Sequence, residues 1–169
     1  MSKKAVFFHG YGGEPIPVIT QIFNYLGYDM VQPHIDFDEE WDFDECRSLF
    51  LESIRNYSDC DLIVGLSLGG YLADLVANSL SKNCIIINPG IDRSKTRLHI
   101  KDFDCDRVIN NCNLEVYLGD RDFQIPNSYT IDYLNKNNIN ARVEIIKGME
   151  HVFNLEEFIQ IVKMSNFIK

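Results

Sequence analysis

Apolar residues along the chain fall into short, mostly continuous runs, separated by stretches in which they recur every three or four positions. Val6-Phe7-Phe8, Leu62-Ile63-Val64, Cys84-Ile85-Ile86-Ile87 and Leu114-Glu115-Val116-Tyr117-Leu118 are strand-sized runs, and Tyr28 to Gln32 and Arg142 to Ile146 bring the set to six. Continuous rather than alternating runs are what a parallel sheet covered on both faces requires. Between them, Ile16, Ile19, Ile22, Phe23 and Leu26 mark one face of a helix that Gly27 ends. Further helices are predicted from Phe43 to Tyr57, from Gly69 to Leu80, and from Pro126 through Tyr129, Ile131 and Leu134. The last helix has a readable start. Asn154 and Glu157 form a capping-box pair, and Phe153 and Phe158 stand at the two positions of a hydrophobic staple. The chain should therefore enter that helix at a fixed angle directly after His151.

Strand and helix alternate throughout, with no repeat, linker or low-complexity stretch. The expectation is a single domain over residues 1–169, an α/β fold of three layers. It would have about six mostly parallel strands, helices on both faces and right-handed crossovers. The apolar runs are too short for a membrane-spanning helix. The first of them meets His9-Gly10 too soon for a signal-peptide core.

Composition narrows the function classes. The net charge of −9 argues against general binding to nucleic acid or to anionic membranes, since both need a basic face. Five cysteines, at 46, 60, 84, 105 and 112, are an odd number with no metal-like spacing. They suit a reduced, cytoplasmic setting as small buried hydrophobes. The acidic stretch from His34 to Glu45 matches no calcium-loop spacing and reads as a solvated loop. The segment from Ile91 to Asn113 has no clear period and carries Arg93, Lys95, Arg97, His99, Lys101 and Arg107.

Chemistry concentrates around Gly65-Leu66-Ser67-Leu68-Gly69-Gly70, a G-x-S-x-G pattern between a strand and a helix. In a nucleophile elbow this turn is so tight that the serine is driven to the top of the sheet with its hydroxyl exposed. Glycines fit at 65 and 69 because backbone crowds both flanks. Ser67 would then sit at a helix N-terminus, where unpaired N–H groups and the helix dipole favour developing negative charge. In a parallel sheet the loops at the carboxyl ends of strands face the ligand. Four of them carry suggestive groups: His9-Gly10-Tyr11-Gly12, Ser67, Asp120 with Asp122, and His151. The order Ser, Asp, His differs from that of chymotrypsin and of subtilisin.

With these residues the sequence resembles the α/β-hydrolase superfamily, and within it the small YqiA-type esterases. The resemblance rests on His9-Gly10 after an apolar strand, Ile63-Val64-Gly65-Leu66-Ser67-Leu68-Gly69-Gly70-Tyr71, Ile86-Ile87-Asn88-Pro89, Leu118-Gly119-Asp120 and Glu150-His151-Val152-Phe153. It spans nearly the whole chain and is weakest between Ile91 and Asn113. It implies Ser67 as nucleophile and His151 as general base, because a serine hydroxyl attacks poorly until an imidazole takes its proton. Asp122 fits the last aspartate of a G-x-x-D-x-x-[VI]-P stretch and is favoured as the acid. Asp120 competes for that role, and the aspartate that loses would cap its own turn. The oxyanion hole would be the backbone N–H groups of Tyr11 and Leu68. His9 would organise its loop rather than act on Ser67.

The implied activity is hydrolysis of a small carboxylic ester or thioester through an acyl-enzyme, with no cofactor or metal and at most a minimal cap. The acidic loop would disfavour highly anionic substrates such as acyl-coenzyme A unless the basic segment offsets it. Two other classes are open to the same residues: a non-catalytic small-molecule-binding module on this fold, and a nucleotide binder. The latter is weak, since His9-Gly10-Tyr11-Gly12-Gly13 is not G-x-G-x-x-G and no Walker lysine follows. Oligomeric state, acyl length and leaving group are not encoded legibly.

Overall fold

A computed structural model describes residues 2–37, 43–92 and 110–168. Asp38 to Asp42 of the acidic loop, and the basic residues from Arg93 to Arg107 with Cys105, lie outside the described residues. The elements in chain order are β1 (Lys3–Phe8), α1 (Pro17–Tyr25), β2 (Tyr28–Val31), α2 (Phe43–Asn56), β3 (Leu62–Leu66), α3 (Leu68–Leu80), β4 (Asn83–Ile87), β5 (Asn113–Gly119), α4 (Asn127–Lys136), β6 (Ala141–Ile146) and α5 (Leu155–Met164). The six strands form one sheet in the order β2-β1-β3-β4-β5-β6. Every pairing is parallel, so the mostly parallel sheet expected from the sequence is wholly parallel.

Strand side chains alternate between faces, and the two faces build two cores. Val6, Phe8, Ile63, Cys84, Ile86, Leu114, Val116 and Leu118 point to one side, where Phe50 of α2, Leu72 of α3 and Leu134 of α4 cover them. Ala5, Phe7, Leu62, Val64, Ile85, Ile87 and Tyr117 point to the other, under Ile19 and Phe23 of α1 and Phe158 and Ile161 of α5. This explains the unbroken apolar runs, since neither face of a central strand meets water.

Glu115 interrupts the apolar run of β5 yet is 1% exposed. Its carboxylate accepts hydrogen bonds from Tyr117 Oη at 3.0 Å, Arg142 Nη1 at 3.1 Å and the Asn166 N–H at 3.0 Å. A buried charge with that many partners is tolerable where an unpaired one would not be. It ties the chain beyond α5 to the sheet. At the start of α5 the capping box is complete: Asn154 Oδ1 accepts from the Glu157 N–H at 3.0 Å, and Glu157 Oε2 accepts from the Asn154 N–H at 2.7 Å. Phe153 stacks on Phe158 with ring centroids 4.9 Å apart.

In the strand order, β2 lies outside β1 on one side and β3 lies on the other, so the chain reverses its direction of winding between β1 and β3. Ligands bind at such a switch point, at the carboxyl ends of the strands. The register Phe8↔Gly65, Leu66↔Ile87 and Gly119↔Ile146 brings the ends of β1, β3, β4, β5 and β6 to one edge.

Cys46, Cys60 and Cys84 are buried and form no disulfide. Burial, helped by the Asp59 carboxylate, pushes the Cys60 thiol up to about 11 from an ordinary 9.0, and burial lifts the Tyr57 hydroxyl in the same sense. Below the ordinary thiol range the folded state keeps the full benefit. As pH rises from about 9 toward 11 the unfolded chain sheds its proton first, and that stability is lost. Thermal melts across this window should show a falling midpoint, with a shallower fall in Cys60→Ala. An identical slope in that variant would contradict this assignment.

Candidate active site

The ends of four strands, β1, β3, β5 and β6, supply the site. The turn from β3 to α3 has no loop residue other than Ser67 itself, which sits at φ 55°, ψ −121° as the N-cap of α3. That positive φ is a strained backbone for a residue with a Cβ. Packing enforces it. A Cβ on Gly65 would collide with the Gly69 carbonyl oxygen, and one on Gly69 would collide with the carbonyl oxygens of Phe8 and His9. The helix thus lies directly on the end of β1. Ser67 does not use its hydroxyl to cap α3. Instead Ser67 Oγ lies 2.9 Å from His151 Nε2.

His151 follows β6 in the short link to α5. Its Nδ1 lies 2.8 Å from Asp122 Oδ2. A carboxylate only accepts, so Nδ1 carries the proton shared with Asp122 and Nε2 is left to accept from the Ser67 hydroxyl. The carboxylate side chain is fully enclosed and the imidazole is 11% exposed. Asp122 uses its other oxygen, Oδ1, to accept from the N–H groups of Gln124 and Ile125, each at 2.9 Å. This fixes the turn after β5 and aims Oδ2 at His151.

Asp120 is elsewhere. Its Oδ1 accepts from the Gly148 N–H at 2.6 Å, joining the β5 turn to the link after β6. The expectation that the aspartate not paired with His151 would cap its own turn is therefore corrected. Asp122 caps that turn, and Asp120 bridges two loops, because the ends of β5 and β6 are adjacent and the Gly148 N–H lies within its reach.

The link after β1 passes against the serine. A Cβ on Gly10 would stand 3.0 Å from Ser67 Cβ, and Tyr11 follows on the wall of the same cavity. Leu68 opens α3, where first-turn N–H groups have no partner within the helix. His9 is 2% exposed. The Ile35 N–H donates to its Nε2 at 2.9 Å, so Nδ1 carries the proton and donates to the Gly10 carbonyl at 2.8 Å. Both ring nitrogens are thus occupied by backbone, which holds the Gly10–Gly13 turn in place.

Ser67 and His151 open into a cavity of about 920 Å³. One wall is Tyr11, Pro15, Ile16 and Pro17; the other is Phe123, Ile125, Tyr129 and Val152. Both walls are braced. Gln32 clamps Ile16, accepting from its N–H and donating to its carbonyl, each at 2.8 Å, while Asp122 holds the 123–125 turn. Among the described lining residues Glu14 is the only carboxylate, and it faces His34 at 3.1 Å. Sequence reasoning gave Gln32, Ile16, Phe123 and Val152 no place in the site. Nor did it give Asn88 a role, although Asn88 is 1% exposed and bonded to the loop carrying His151. Among the described residues no three His, Cys, Asp or Glu side chains converge as metal ligands, and no helix is long and apolar enough to cross a membrane.

No protein-family model and no curated protein matches the sequence. Solved structures do. A monoacylglycerol lipase from Paleococcus ferrophilus superposes with a TM-score of 0.69 at 13% identity, over 94% of this chain and 91% of that one. The esterase PE8 gives 0.63 at 15% identity, over 99% and 93%. An alpha-beta serine hydrolase homologue from Coxiella burnetii gives 0.62 at 14%, over 95% and 82%. The fold is that of the α/β-hydrolases. At these identities the likeness is one of architecture.

Gly65→Ala and Gly69→Ala are expected to destabilise the protein by about 3 kcal/mol or more, since backbone cannot retreat from the added methyl as a side chain could. Gly70→Ala, where the nearest neighbour would be the Pro89 side chain at 3.1 Å, should cost clearly less. Chemical denaturation of the three variants tests this ranking, and equal stabilities would contradict the packing explanation of the strained turn.

Proposed function

We propose that the protein is a serine hydrolase that cleaves an uncharged carboxylic ester or thioester through an acyl-enzyme on Ser67. The observation that carries this reading is the hydrogen-bonded chain from Ser67 Oγ through His151 to Asp122 at the mouth of an apolar cavity. In this reading His151 Nε2 takes the hydroxyl proton as Oγ attacks the carbonyl carbon. The enclosed Asp122 carboxylate holds the productive tautomer and stabilises the imidazolium that forms. The oxygen that becomes negative is received by the Leu68 and Tyr11 N–H groups, aided by the N-terminal dipole of α3. His151 returns the proton to the leaving oxygen or sulfur. Water then repeats the sequence on the acyl-enzyme, with His151 again as base. Every step uses groups of this chain.

The cavity argues for the substrate class. Its volume is within the range that encloses a drug-sized ligand and well beyond what an acetyl group fills. Its walls are aromatic, aliphatic and proline side chains held by Gln32 and Asp122, so an apolar acyl or alcohol group meets a preformed surface. Glu14, exposed on the cavity wall, disfavours anionic esters. The buried Cys46, Cys60 and Cys84, in no disulfide, suit a reducing compartment, consistent with a cytoplasmic enzyme.

Wild-type protein should turn over p-nitrophenyl butyrate faster than the acetate, and Ser67→Ala should turn over neither. Asp122→Asn should lose roughly 10²–10⁴ in rate, whereas Asp120→Asn should stay near wild type in rate and melt earlier. Folded wild type without Ser67-dependent turnover would defeat the enzyme reading and favour a binding module. The opposite ranking of the two aspartates would move the acid to Asp120. Acyl-coenzyme A hydrolysis that speeds up at low salt would contradict the exclusion of anions.

A further inference from the structure

Ser67, Asp122 and His151 sit on three separate links, and one short segment outside all of them is bonded to Ser67, to the link carrying His151 and to the end of β5 that leads into the Asp122 turn. It is the turn at the end of β4, from Ile87 to Gly90. The Ser67 N–H donates to the Ile87 carbonyl and the Gly90 N–H donates to the Ser67 carbonyl, both at 3.0 Å. Between them Asn88 reaches the other way. Its backbone N–H donates to the Tyr117 carbonyl at 2.9 Å, and Oδ1 accepts from the Gly119 N–H at 2.7 Å. Nδ2 donates to the carbonyls of Glu150 at 2.8 Å and His151 at 2.9 Å. The amide orientation is fixed by chemistry, since a carbonyl can only accept and an N–H can only donate.

We propose that Asn88 is a positioning residue that sets the separation between Ser67 Oγ and His151 Nε2 by clamping the His151 backbone to the turn that holds the Ser67 backbone. The inference rests on the serine-hydrolase reading above. The hydrogen bonds of His151 to Ser67 and Asp122 are made by its two ring nitrogens. Its backbone lies in a link between β6 and α5, and two of the carbonyls there are fixed by one buried amide. The same amide fixes Gly119, where β5 gives way to the Asp122 turn. Movement of the His151 backbone would therefore change both distances of the relay at once, and displacement of about an ångström can cost roughly 100-fold in rate.

The residue type is specific. Asn88 stands at φ 42°, a left-handed conformation that asparagine and glycine adopt more readily than other residues. Both amide hydrogens and the amide oxygen are used. An aspartate would keep the shape and the acceptor for Gly119 but would turn a carboxylate toward two carbonyls. A glycine would keep the backbone and remove the clamp. The two variants separate the clamp from the turn, which alanine would confound.

The test is to measure kcat, KM and melting temperature for Asn88→Gly and Asn88→Asp with p-nitrophenyl butyrate, well below each melting point. In parallel, proton NMR follows the His151 Nδ1–H signal, assigned by its absence in His151→Ala. Both variants should fold and keep KM close to wild type while kcat falls by about 10–100-fold, and the Nδ1–H signal should broaden or vanish. If Asn88→Gly does not fold, Asn88→Asp carries the test. A folded variant with wild-type kcat and an intact signal, whatever its melting temperature, overturns the positioning role. Wild type that lacks Ser67-dependent turnover, but whose Nδ1–H signal is lost on changing Asn88, would defeat the hydrolase reading while leaving the clamp standing.

Discussion

Helix α3 lies on the end of β1 with no side chain between them, and the rest of the site depends on that contact. Glycines at 65 and 69 permit it, because the space a Cβ would need is filled by the carbonyls of Gly69, Phe8 and His9. With strand and helix that close, the residue between them has to turn at positive φ, and Ser67 takes the strain. The strained turn lifts the hydroxyl clear of the helix end and presents it to His151. The β1 link is drawn against it as well, with Gly10 beside Ser67 and His9 locked by bonds to Gly10 and Ile35. Packing in the middle of the sheet thus sets the geometry of the Ser67, His151 and Asp122 side chains at the ends of the strands.

Around that turn, side chain-to-backbone bonds set the distances. Asp122 spends one carboxylate oxygen on its own turn and the other on His151. Asp120 fastens the β5 turn to Gly148, and Asn88 fastens the His151 link to the end of β4. Gln32 does the same for one wall of the cavity. Each is a polar side chain facing backbone groups that a loop leaves without partners, and buried groups of that kind are costly unless bonded. Satisfying the loops and aligning the relay are therefore the same set of bonds.

Much of this was legible in the chain itself. The six strands, the end of α1 at Gly27, the capping box of α5 and the Gly65–Gly70 elbow follow from local signals: periodicity, turn residues and spacing. The mostly parallel sheet follows from the unbroken apolar runs of β1, β3 and β4, whereas the alternating β2 and β6 carry no such mark. The choice between Asp120 and Asp122 was less legible, since both sit in one turn two residues apart and only the place of His151 in space separates them. The roles of Asn88 and Gln32, and of Ile16 and Phe123 as cavity walls, left no readable signal. Their partners are backbone groups 16 to 63 residues away or a cavity assembled from several links, and neither has a period or a spacing to read. The Asn88-Pro89 step was visible as part of a resemblance, but its work depends on two carbonyls that carry no sequence mark.

The claim on which the functional account turns is that the Ser67 hydroxyl is activated by His151. Incubation of the folded protein with a fluorophosphonate, followed by intact-mass measurement and peptide mapping, tests it most directly. The expected result is one adduct per chain, on Ser67, formed by wild type and lost or greatly slowed in His151→Ala. A folded wild type that takes up no adduct, or one that reacts equally well without His151, would contradict it.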